Sequence, residues 1–165
     1  MAVLLLKQLR AAVAPAVPLL RVRWMPLLPA GAGIQLLLGI TSTPPLLLVV
    51  SMGLIAGFLW GNRAHPGFPL AFAGVVLNLA VIAVNGAMPV SPRAAAFVGD
   101  AGIGGADLRH SVADGDTLLP FLGDVIPLGT RVVSVGDLFI FAGLGWFLWR
   151  AMLSLLRRTD QAAAR

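Results

Sequence analysis

Late in the chain the sequence reads Leu122-Gly123-Asp124-Val125-Ile126-Pro127, then Arg131, then Ser134-Val135-Gly136-Asp137. Two aspartates flanking an arginine suit three kinds of chemistry. A carboxylate pair, one protonated and one ionised, activates water against a carbonyl when close approach splits the two titrations. Asp124 and Asp137 would be that catalytic pair. The same residues have a structural use. Ser134-x-x-Asp137 has the form of a capping box, although Asp is shorter than the usual Glu or Gln. An Asp in a first helical turn also faces the positive end of the helix dipole favourably. Arg131 would pair with either carboxylate and hold the loop shut. Binding of an ion or ligand is the third use.

Other polar residues are candidates for the same place. Asn85, at the end of an apolar run, is positioned to reach it, and with Arg131 and Ser134 it forms an expected structural lock. Gln35 and Asn78 sit in the middle of apolar runs, where a side-chain amide bonds to a neighbouring helix for about 0.6–2 kcal/mol. His110 lies in a polar stretch and reads as a solvated histidine, with a general-base role as the alternative. Asp100, Asp107, Asp114 and Asp116 lack the regular spacing and glycine of a calcium loop. With no cysteine and two histidines, no metal site or cofactor is expected.

The surroundings of these residues are apolar. Of 165 residues, 58% are hydrophobic and 12% charged, and the mean hydropathy is +0.91. That charged share is about half the usual one for soluble domains, and lipid is the natural solvent for such a chain. The net charge of +5 does not indicate nucleic acid. The basic residues flank apolar runs, as membrane anchors do, and form no patch with interleaved aromatics. Residues 1–23 carry Lys7 and Arg10 among leucines, which predicts an interfacial N-terminal helix.

Four spans are predicted, near 24–40, 44–61, 68–84 and 135–153. At 1.5 Å per residue each is roughly 26–29 Å long, just sufficient for a hydrocarbon core of about 30 Å. Gly53, Gly57 and Gly61 recur at four-residue spacing on the second span. They offer a smooth face to a neighbouring helix, to a second copy, or to another membrane protein. The arrangement of segments is then 1–23 interfacial, 24–85 spans one to three, 86–133 an insert, 134–156 the fourth span, and 157–165 a tail. Six of the seven acidic residues lie between Asn85 and Asp137. Arginines crowd the N-terminal flank, the loop at Arg63 and the tail. The positive-inside rule therefore places both termini in the cytoplasm and the insert outside the plasma membrane.

The series Asn85-Gly86-Ala87-Met88-Pro89-Val90-Ser91, a later His110, Leu122 to Pro127 and Ser134 to Asp137 resembles domain-of-unknown-function family 5317, small bacterial integral membrane proteins. That resemblance implies membrane location and carries no activity. In layout the chain is more distantly similar to lipoprotein signal peptidase, an intramembrane aspartyl peptidase with an Asp opening its last span. Val133-Ser134-Val135-Gly136-Asp137 matches that family's final motif in part, and its Gly-Asn-x-x-Asp-Arg segment is missing. The expectation is an all-α, four-helix transmembrane bundle with a non-enzymatic role in structure, assembly or binding. A hydrolase using Asp124 and Asp137 is the alternative, and a small transporter the third.

Overall fold

Long uncharged runs leave the backbone one economical way to pair its amides, and five α-helices result among the described residues. In the computed structural model, which describes residues 22–38, 45–99 and 109–163, they are α1 (Leu27–Leu38), α2 (Pro45–Gly61), α3 (Phe68–Asn85), the short α4 (Pro92–Val98) and α5 (Val135–Ala163). The interfacial helix expected over 1–23 lies outside the described residues except for its last two positions. The same holds for Asp100 and Asp107. Among the described residues two helices, over Phe68–Asn85 and Val135–Leu156, are long and apolar enough to cross a membrane, while α1 and α2 are shorter apolar helices.

The helices pair antiparallel, and glycine sets how closely. A side chain at Gly61 would strike the Trp24 ring, one at Gly57 would touch Leu27, and one at Gly31 would meet Ser51 and Ile55. Thus α1 runs back along α2. Of the Gly53/Gly57/Gly61 row, Gly57 and Gly61 face the segment leading into α1 and its first turn, while Gly53 faces open space. A closer seam joins α3 to α5. Gly67 meets the Gly143 backbone, and Gly74 meets that of Gly136. Both pairs are spaced seven residues along their helices, about two turns.

Inside, Met52, Phe58, Leu59, Phe68, Ala71 and Val75 form one cluster, and Leu48, Val81, Ile82 and Met88 a second. Outside, Leu36, Leu46, Phe141 and Leu148 are all more than half exposed. Only 6% of the apolar window of α5 is buried within the chain.

The expected all-α architecture needs a correction. The insert contains a four-stranded sheet, in the order β2-β1-β3-β4: β1 (Met88–Val90), β2 (His110–Val112), β3 (Asp124–Leu128) and β4 (Arg131–Ser134). Gly86, at φ 77°, ends α3 in the left-handed conformation that glycine adopts freely, and the chain turns at once into β1. This strand is wholly buried and pairs parallel with β2 and β3. Proline is unusual in a central strand because it has no amide to donate. Here the β1–β3 pairing begins only at Val90 opposite Asp124, so the missing amide of Pro89 costs no bond on that side. A hairpin between β3 and β4 turns at Gly129, φ 61°.

Asn85 fastens this insert to the bundle. Its amide donates to the carbonyls of Val81 and Leu118, both at 2.9 Å, and its side-chain oxygen accepts from the Leu118 amide at 2.9 Å.

Candidate functional site

The β3–β4 hairpin decides which polar groups meet. Its register sets Asp124 opposite Ser134, and Ser134 leads directly into α5. Across the seam, α3 presents Asn78. Glycine at 136 leaves room for that amide, because a Cβ there would overlap it.

Four hydrogen bonds result. Asp137 Oδ1 accepts from Asn78 Nδ2 at 2.8 Å. Asp137 Oδ2 accepts from the Ser134 amide at 3.1 Å, and Ser134 Oγ accepts from the Asp137 amide at 3.0 Å. The Ser134 hydroxyl donates to Asn78 Oδ1 at 2.8 Å. The Ser134–Asp137 exchange is a reciprocal cap, in which the helix start and the residue before it each satisfy the other's amide. Asn78 ties that cap to α3. Ser134 is fully buried and Asn78 nearly so, so each group lost would leave another unpaired away from water.

Asp124 is bound differently. It is only 5% exposed. Its Oδ2 lies 3.6 Å from His110 Nε2, but its Oδ1 is buried and has no hydrogen-bond partner among the described residues. Burial pushes the carboxyl from an ordinary 3.8 up to about 6, against the pull of His110 and with a further push from Asp137. Arg131, expected to pair with a carboxylate, makes no ion pair with either one. The hairpin places it opposite Leu128, at the turn end of the ladder, and it is exposed. Nor is His110 merely solvated: the parallel β1–β2 register, Met88 opposite His110, brings its ring to Asp124.

A cavity of about 240 Å³ opens between the sheet and the bundle. Asp124, Asp137, Asn78, His110 and Gln35 line it with polar groups, Leu48, Met52, Ile82 and Met88 supply apolar wall, and Arg109 and Arg131 complete the lining. Gln35 is held by its bond to Ser51 Oγ, 2.8 Å, and that hydroxyl bonds the Leu48 carbonyl. Among the described residues no group of three His, Cys, Asp or Glu side chains is placed to hold a metal ion.

Sequence reasoning gave no role to a second buried amide, at the opposite end of the bundle. Asn62 accepts from the Arg23 amide at 2.6 Å and donates to the Arg23 and Phe58 carbonyls at 2.7 and 2.8 Å. Its only sequence signal is an asparagine directly after the last apolar turn of α2.

The raised titration of Asp124 has a measurable consequence. A carboxyl whose folded pKa is raised favours the folded state below its unfolded pKa, and that advantage is lost as pH rises to about 6. Asp124→Asn is therefore expected to stabilise the protein by about 3 kcal/mol at about pH 8 and to change little at about pH 4. Thermal melting of the detergent-solubilised chain at the two pH values checks this. An equal shift at both would refute it.

Taken together, the described residues form a mostly helical structure with two helices of membrane-crossing length and a small sheet seated over a carboxylate-lined cavity. The chain belongs to the family of unknown function DUF5317, whose model matches residues 19–149. No curated protein and no solved structure matches the chain.

Proposed function

We propose that the protein is a four-span plasma-membrane protein with cytoplasmic termini, and that its outward insert caps the bundle and encloses a binding pocket. The single observation that carries the binding role is Asp124: a carboxylate almost wholly buried, facing a cavity, with one oxygen unpaired. A group kept in so costly a state is accounted for by a ligand that satisfies it.

The placement in a membrane is supported by the outward apolar faces of the helices and by charge. One end of the bundle gathers Arg23 and Arg63, with Arg63 stacked 4.7 Å from the centre of the Trp60 ring. The sheet and its aspartates gather at the other end. The short α2–α3 loop carries Arg63 and no acidic residue, beside an interfacial tryptophan, which suits a cytoplasmic surface. Binding is favoured over hydrolysis by the state of Asp137. An aspartyl hydrolase needs two carboxylates converging on one water, whereas both oxygens of Asp137 accept amide protons within the lock.

The absence of native cysteine allows a clean test of placement. Gly115→Cys, in the insert, is expected to react with a membrane-impermeant maleimide on intact cells. Ala64→Cys, in the α2–α3 loop, should react only after permeabilisation. Equal labelling of both positions in intact cells would overturn the topology.

A further inference from the structure

We propose that the pocket takes a zwitterion, with a primary ammonium against the Asp124 carboxylate and an anionic oxygen group at Arg131. This assignment rests on the binding role above and names its ligand class.

The Asp124 carboxylate lines the cavity and has one oxygen without a donor. A single water occupies about 30 Å³, whereas the cavity measures about 240 Å³, so there is room for several heavy atoms. An ammonium carries donors and charge on a compact centre. The electrostatics then select what else the ligand bears. The lining holds two carboxylates, Asp124 and Asp137, and two guanidiniums, Arg109 and Arg131. A bare cation would meet the guanidiniums and a bare anion the carboxylates, while a molecule with both signs matches both. The apolar wall of Leu48, Met52, Ile82 and Met88 accommodates the methylenes between the poles. An aminoethyl phosphate fits this description, either as the headgroup of phosphatidylethanolamine or as free phosphoethanolamine.

Protonation provides a second handle. Asp124 takes up its proton near pH 6, and the charged groups around it are His110 on β2, Asp137 on α5, and Arg109 and Arg131. Affinity scales with the ionised fraction of Asp124, so binding should be about tenfold weaker at about pH 5 than at about pH 7.5.

The experiment uses the full chain in detergent micelles doped in turn with phosphatidylethanolamine, phosphatidylcholine or phosphatidylglycerol. Binding is read by native mass spectrometry and by the melting midpoint. Phosphatidylethanolamine is expected to bind about tenfold more tightly than phosphatidylcholine, whose quaternary ammonium has no N–H to donate. Asp124→Asn should remove both that preference and the pH dependence, and Arg131→Gln should weaken binding with the pH dependence retained. Competition by soluble phosphoethanolamine would assign the site to the free molecule. Lack of competition alongside the phosphatidylethanolamine preference would assign it to the lipid. Asp124-dependent binding of phosphatidylcholine or phosphatidylglycerol at equal strength would overturn the ligand class and leave the binding role standing. If no compound binds in an Asp124-dependent way, both fall.

Discussion

Gly136→Ala is expected to destabilise the protein by about 3 kcal/mol, despite the gain of up to about 1 kcal/mol that alanine brings to a helix interior. The added Cβ would overlap the Asn78 side chain and lie 2.7 Å from the Gly74 carbonyl oxygen. Neither neighbour has room to retreat. Asn78 is held on both sides by Asp137 and Ser134. The Gly74 carbonyl is helix backbone, and a second close approach, Gly67 against Gly143, keeps α3 from pivoting away. Accommodation would require parting the α3–α5 seam or breaking the lock. Gly53→Ala is the matched control: nothing lies within 4 Å of a Cβ there, and the change should be neutral or slightly stabilising. Melting midpoints of the two variants in one detergent decide the matter. Equal midpoints would show that the seam has slack.

The helical character of the chain could be read from its sequence because an uncharged apolar run of 17 or 18 residues leaves few alternatives. The sheet escaped because its strands are three to five residues long, too short for an alternation to register, and β1 pairs with β2 some 20 residues away. A signal for part of it was present. Val125-Ile126-Pro127-Leu128 and Arg131-Val132-Val133 are β-prone runs around Gly129-Thr130, a two-residue hairpin connection. Glycine spacing misled in a related way. The regular Gly53/Gly57/Gly61 row is conspicuous, but the closest helix approach uses Gly67, Gly74, Gly136 and Gly143, whose pairing joins positions more than 60 residues apart. At the site, residue type drew attention to Asp124 and Asp137. Their difference in state could not be read from it, because it depends on the register that brings His110 and not Arg131 to Asp124.

The lock itself makes the other large prediction. Asn78→Leu keeps the branching and heavy-atom count of the side chain and removes its bonds to Asp137 and Ser134. It leaves the Ser134 hydroxyl proton without an acceptor and one oxygen of Asp137 without a donor at a buried junction. Each neutral group stranded in this way costs about 1–3 kcal/mol and a charged one more, so a loss of about 3–5 kcal/mol is expected. Asp137→Asn should cost less, about 1–2 kcal/mol, since one of its two acceptor bonds survives. Because the three side chains act as a unit, Asn78→Leu combined with Asp137→Leu should be milder than the sum of the single changes, by about 0.5–3 kcal/mol. A melting series on the wild type, Asn78→Leu, Asp137→Leu and their double variant measures that coupling directly. Strict additivity would mean that the hydrogen bonds between α3 and α5 contribute nothing jointly. The same cycle bears on the pocket. Asp124 is held opposite Ser134 by backbone pairing, so loosening Ser134 displaces the carboxylate from the cavity. A broken lock should therefore abolish ligand binding even in variants that remain folded at low temperature.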